Sequence, residues 1–241
     1  MNSRFPLALA AGLALAAAAP LHAQLFTQWN FNSGDDATTS TGTLTPSFGS
    51  GTAALIGGAT GTFASGASNG GSTDPNTTDD SAWNISTWAA QGTENKTRGV
   101  QFSVSTVGMT DISVSWDQRH SNSSSEYVVF QYSTDGSTFT DFATFQGQTG
   151  DTWFNGRSAD LSSIAAVENN PSFAFRIVQS FGADNLNYEP SNQTAAYATT
   201  GTWRFDMVTV NATPVPEPEE YAAMAAGGLL AFAIWRRRQS R

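Results

Sequence analysis

The residues that could carry chemistry are few. Cysteine is absent from the 241 residues and only two histidines occur, His22 and His120. A Ser-His-Asp site needs a histidine base. His22 lies in the leading apolar segment, so His120, in Asp117-Gln118-Arg119-His120, is the one candidate of the body, and its place at a strand end reads as structural. Zinc and iron sites need several His or Cys ligands and are excluded. Calcium takes oxygen ligands, which this chain has in plenty. The run Asp74 to Asp80 is a second calcium candidate, but it lacks EF-hand spacing and reads rather as a flexible acidic loop. Glycoside hydrolysis needs two carboxylates; Glu94, Glu126, Glu168 and Glu189 are the glutamates of the body, none in a catalytic motif. Sugar rings pack on exposed aromatic faces while their hydroxyls seek polar groups. Trp83, Trp88 and Trp153 lie outside the clearest alternating strands and are the candidate ligand-binding platforms.

The elements that position these residues are strands. Charged residues make up 13% of the chain, against 22 glycines and 16 phenylalanines, and this composition favours pleated sheet and turns over helix. Val100, Phe102 and Val104 alternate, as do Ile112, Val114 and Trp116, then Val128, Phe130 and Tyr132. Asp135-Gly136 before Phe139 is a hairpin signal, because glycine accepts positive φ without steric cost. Phe173, Phe175 and Ile177 form a further strand, and Trp203, Phe205, Val208 and Val210 the last, with a phase change that places a β-bulge near Asp206 or Met207. Residues 33–80 read as long loops joined by a few short strands. The expected fold is all-β, an antiparallel two-sheet sandwich of jelly-roll type spanning residues 24–213 as one domain.

Both ends read as addresses. Residues 1–23 carry Arg4, an apolar run from Leu7 to Ala19, and small Ala23 before Gln24, the pattern of a secretory signal peptide. Residues 214–241 hold Val215-Pro216-Glu217-Pro218, an apolar stretch at 221–235, and a basic tail at 236–241 with Arg236, Arg237 and Arg238. Fifteen residues at about 1.5 Å each make a helix of about 22 Å, short against a hydrocarbon core of about 30 Å. The expectation is a short C-terminal transmembrane helix that inserts weakly, its arginines held on the cytoplasmic side as a basic stop signal.

This tail resembles the PEP-CTERM sorting signal of Gram-negative bacteria that make exopolysaccharide. The resemblance implies an exosortase-type processing enzyme as partner, transient inner-membrane insertion and release to the cell surface or extracellular matrix. Glu219 and Glu220 stand where a small hydroxyl residue often follows that motif. Residues Gly99 to Phe139, with Trp29-Asn30-Phe31-Asn32, resemble a β-sandwich module of secreted bacterial proteins that accompanies extracellular nucleases and phosphoesterases. The ending Gly201 to Ala212 is similar to the last strand of jelly-roll carbohydrate-binding modules, and that likeness implies a structural calcium ion held by Asp206 and Asn32.

Charge bounds the partners. Residues 24–213 carry 17 acidic and 6 basic side chains, a balance of −11. Such a body repels a phosphate backbone, which excludes nucleic-acid binding by bulk charge. The expected function is that of an exported, non-catalytic surface or matrix protein that binds exopolysaccharide and requires no cofactor. The alternatives are a secreted hydrolase, glycosidase or phosphoesterase, with a carboxylate site, and an adhesin held permanently in the membrane.

Overall fold

A computed structural model describes residues 23–34, 37–76, 78–215 and 218–239, with the side chains of 218–224 left aside. Eleven strands form: β1 (Gln24–Trp29), β2 (Thr52–Ile56), β3 (Thr60–Ser65), β4 (Ser81–Ser86), β5 (Gly99–Ser103), β6 (Met109–His120), β7 (Tyr127–Ser133), β8 (Thr140–Gln146), β9 (Thr152–Asp160), β10 (Ala174–Gln179) and β11 (Trp203–Pro214). They build two antiparallel sheets. The first runs β3-β4-β11-β6-β9, and β1 takes the half of β11 that β4 leaves free; the second runs β2-β5-β10-β7-β8. The fold class is therefore the expected all-β sandwich.

Alternation explains the core. Phe102 and Val100 of β5, Phe175 and Ile177 of β10, and Val128 and Phe130 of β7 point from the second sheet toward Trp83, Trp116, Trp203, Phe205 and Val208 of the first. Phe102, Phe175 and Phe130 stack in a column with centroid spacings of 5.0 and 5.5 Å, so aromatic packing adds to the burial of area. Asp135-Gly136 turns β7 into β8 as expected: Gly136 has φ of 75°, and the Asp135 carboxylate accepts the backbone N–H groups of Ser137 and Thr138. The register of β11 against β6 shifts between Asp206 and Thr209, where Met207 has φ of 47°, so the β-bulge lies where the phase change placed it.

The C-terminal helix α1 (Pro218–Gln239) is a unit apart from the sandwich. Proline at its first position suits a helix start, since the missing N–H has no helical partner there. Among the described residues no helix is long and apolar enough to cross a membrane. The physical reason is the short apolar stretch, closed by Glu219 and Glu220 at one end and three arginines at the other. Of the sorting motif, Val215 is exposed, whereas Pro216 and Glu217 lie outside the described residues, as does the signal segment 1–22.

Candidate metal centre

The bulge in β11 and the loop between β3 and β4 create one acidic site. Trp203 and Phe205 face the core, so strand alternation turns Asp206 to the outer face of the first sheet, beside Asp117 of β6. The loop of residues 66–80 lies over that face and is bolted to it. Trp153 Nε1 donates to the Ser68 carbonyl at 2.8 Å, and Asn155 Nδ2 to that of Gly71 at 3.0 Å. Asp117 accepts the Thr73 N–H (2.6 Å) and hydroxyl (2.7 Å) on one oxygen and the Gly156 N–H (2.7 Å) on the other. Asp117 is thus spent as a clamp.

Under the loop, Asp74, Asp80 and Asp206 each bring a carboxylate oxygen to within 4.8 Å of the others. Asp206 is 0% and Asp80 6% exposed. Asp206 accepts the Ser72 hydroxyl and the Met207 N–H, both at 2.7 Å. Asp74 accepts Asn32 Nδ2 at 2.7 Å and the Asn76 N–H at 2.8 Å. Oδ1 of Asp80 is buried without any hydrogen-bond partner, although a buried polar atom normally has one. No lysine or arginine answers these charges, since the three ion pairs among the described residues join Lys96 to Asp141, Arg98 to Glu94, and Arg119 to Asp151. Burial, followed by the charge of Asp74, pushes the Asp80 carboxyl up to about 6. Burial also raises Asp206 well above the usual carboxylate range, against the pull of its Ser72 and Met207 hydrogen bonds. Asp79, next along the chain, goes the other way: burial pushes it upward, yet bonds from Ser33, Gly34 and Ser81 hold it below its ordinary value.

Three close carboxylates, one with an orphaned oxygen and none with a cation, fit a hard divalent ion that takes oxygen ligands. Asn32 sits one step back. Its Nδ2 positions Asp74, and its Oδ1 accepts the Ser81 N–H at 2.8 Å, tying the end of β1 to the start of β4. Sequence reading named Asn32 and Asp206; Asp74 and Asp80 were visible in the acidic run but read as solvated loop.

Gly66 gives the cluster its room. A Cβ there would collide with Asp80 Oδ1 and stand 2.8 Å from Asp206 Oδ2. Gly66→Ala is therefore expected to cut calcium affinity at least about tenfold, the cost of roughly 1.4 kcal/mol of misplacement. Calcium titration followed by thermal melting checks it, and an unchanged midpoint would detach the cluster from any ion.

The tryptophan expectation is corrected. Trp83 is 2% exposed, packed on Phe31 and Phe102; Trp88 is 2% exposed, with its ring 4.2 Å from that of Trp203 and its Nε1 donating to the Gly201 carbonyl; Trp153 is 8% exposed beneath the 66–80 loop. Trp83 belongs to β4 and Trp153 to β9, and each is spent on packing, so none presents a face to a sugar ring.

His120 is fully buried at the end of β6. Its Nδ1 donates to the Ser125 carbonyl at 2.9 Å and its Nε2 accepts from Arg157 at 3.2 Å, an arrangement that needs the neutral Nδ1–H tautomer. Burial, and then the charge of Arg157, drive its pKa well below normal. The glutamates are likewise engaged: Glu94 with Arg98, Glu168 with the Asp111 N–H, Glu189 with the Ala183 N–H and Glu126 with Gln193. Burial and the neighbouring Glu189 raise Glu126.

No protein-family model and no curated protein matches the chain. Among solved structures it is similar to the N-terminal CBM22-1-CBM22-2 tandem domain of Xyn10C from Paenibacillus barcinonensis, at 12% identity over 84% of this chain and 49% of that one, TM-score 0.47. The chain thus spans about half the length of that structure. It is also similar to the CBM22-1-GH10 modules of Clostridium thermocellum Xyn10B, at 12% identity over 68% of this chain and 27% of that one, TM-score 0.42. A third likeness is to the K1 cleaved adhesin domain of Lys-gingipain from Porphyromonas gingivalis, at 12% identity over 67% of this chain and 98% of that one, TM-score 0.36. At these identities and scores the likenesses carry no inference about ligand or activity.

Proposed function

We propose that the chain is an exported, non-catalytic surface or matrix protein whose sandwich binds exopolysaccharide and is stiffened by calcium at Asp74, Asp80 and Asp206. The observation that carries this reading is how the chemistry-bearing groups are used. His120 is bonded at both ring nitrogens inside the core, and the densest carboxylate cluster lies sealed under a loop rather than open in a cleft. A general base must reach the proton it takes, and neither group offers that access. When bound, calcium supplies charge neutralisation among the three aspartates; Ser72, Asn32 and Met207 orient those aspartates, and Gly66 makes the space.

Affinity electrophoresis in gels cast with the host's exopolysaccharide tests the reading: retardation without any shortening of the polymer is expected. Free migration, or release of reducing ends that Glu126→Gln or Glu189→Gln abolishes, would overturn it.

The tail acts in this reading as a PEP-CTERM sorting signal for an exosortase-type enzyme. Its short apolar stretch suits brief engagement of the inner membrane better than permanent anchorage. Intact mass of the protein recovered from its host is expected to lack the first 23 residues and everything beyond the Pro216-Glu217-Pro218 region. A mass that keeps Trp235 and the arginines, found only in the membrane pellet, would favour the anchored adhesin.

A further inference from the structure

The outer face of the second sheet carries one continuous cross-strand row: Ala54 of β2, Gln101 of β5, Arg176 of β10, Gln131 of β7 and Asp141 of β8 stand in register as neighbours. Four of these five are polar side chains linked in pairs. Arg176 Nε donates to Gln101 Oε1 at 2.8 Å, Gln131 Nε2 donates to Asp141 Oδ1 at 2.7 Å, and Lys96 closes on the other oxygen of Asp141. The Arg176 guanidinium lies 3.6 Å above the centre of the Phe139 ring. It is held flat by a ring on one side and an amide at Nε, while its two terminal amino groups take no protein partner among the described residues. Asp141, the acid in the row, is already met by Lys96 and Gln131. An arginine fixed in this way and left without a carboxylate is a ready bidentate donor.

The surroundings make a trough. Two residues along each strand from that row stand Thr52, Ser103, Ala174 and Ser133, all small. Beyond them a cavity of about 300 Å³ is lined by the hydroxyls of Thr52, Ser103, Ser105 and Ser172 together with Asp135 and the apolar Phe173. The four polar members of the row, on neighbouring strands about 4.8 Å apart, span about 14 Å, room for several sugar units across the strands. Charge sets the class. In a body with a balance of −11, this face holds Arg176 and Lys96 against Asp141, which Lys96 and Gln131 already meet, and against Asp135 at the cavity, whose carboxylate is taken by the Ser137 and Thr138 N–H groups.

We propose that this row is the polysaccharide-binding face and that it selects a carboxylate-bearing, uronic-acid polysaccharide, the sugar carboxylate pairing with the terminal amino groups of Arg176 while hydroxyls meet Gln101 and the hydroxyls of the cavity. The inference rests on the polysaccharide-binding reading and deepens it by naming the face and the ligand class.

Short oligogalacturonates, which are too short to gel, are titrated calorimetrically into the full chain at one fixed calcium concentration, beside the same oligomers methyl-esterified. The acid form is expected to bind and to weaken as salt is added, and the ester to bind at least about tenfold less well. Arg176→Ala is expected to lose about tenfold or more in affinity, Arg176→Lys to fall between, and Arg204→Ala, on the opposite sheet, to change nothing. If Arg176→Ala does not fold, the lysine variant decides: full affinity in it sinks the bidentate contact. Equal binding by wild type and Arg176→Ala, or equal binding of acid and ester, overturns the inference. Neutral xylan or glucan binding in place of the acid overturns it while leaving the polysaccharide-binding reading standing; no binding to any of these or to the host polymer sinks both.

Discussion

Calcium added to chelator-treated protein is expected to raise its melting temperature by about 5–10 °C at a hundredfold excess over Kd. An ion that binds only the folded state adds about 2.7 kcal/mol at that excess, and each kcal/mol is worth about 2–4 °C in a chain of this size. Asp206→Asn is expected to abolish the shift, and its melting temperature in chelator should equal or exceed that of wild type in chelator, because it removes a buried carboxyl group that has no cation beside it and lies within 4.8 Å of two others. That sign separates a metal site from a merely structural aspartate, whose loss would lower stability under both conditions. The pH dependence adds a second test. Asp80, pushed up to about 6, and Asp206, also raised, bind protons more readily folded than unfolded. Their protonation therefore stabilises the ion-free fold below the ordinary carboxylate range, and this contribution is lost as pH rises through about 6 and above. Protons and calcium compete for the same oxygens, so the calcium shift should be large at pH 8 and shrink toward pH 5. A shift that ignores pH, or a wild type indifferent to calcium, would remove the ion from this site.

Different parts of the molecule were legible to different degrees. Strands β5, β6, β7, β10 and β11 alternate apolar residues over long spans, and the bulge beside Asp206 showed as a break in phase. β4 did not, because Trp83 is flanked by Ala82 and Asn84 in a strand of only six residues. β9 was hidden for another reason. Its register against β6 breaks around Asn155 and Gly156, and the inward position after that break is Arg157, a charge where an alternation reading looks for a hydrophobe. Trp153 was consequently placed outside the clearest alternating strands. The site was half legible. Asp206 is marked by its strand, whereas Asp80 joins it only because the 66–80 loop folds back over the sheet, a contact more than a hundred residues long in sequence that no local pattern encodes.

Arg157 is the second residue whose replacement should have a large effect. It is buried at the open side of the sandwich, where β9 edges one sheet and β8 the other. It donates to Gln118 Oε1 and His120 Nε2 in its own sheet and to the Gln146 carbonyl across the gap, and its guanidinium lies 4.7 Å from the Phe154 ring centre. No carboxylate pairs with it among the described residues, and burial brings its pKa down to about 9. Arg157→Ala leaves a cavity and strips buried acceptors of their donor, at an expected cost of about 3 kcal/mol or more at pH 7, read by denaturant unfolding. The same variant should change the response to acid. His120 has a depressed pKa in the fold, so its neutral form contributes stability above the unfolded value near 6.5 that is lost as pH falls below it. Removing the Arg157 charge removes the second of the three causes of that depression, after burial and ahead of the charge of Arg119. The gap between wild type and Arg157→Ala is therefore expected to narrow between pH 7 and pH 5. The comparison isolates the pair because the carboxylates that titrate in the same window are common to both proteins. A gap that stays constant across that window would mean that His120 does not sense the arginine, and that the bond between them is geometry without electrostatic consequence.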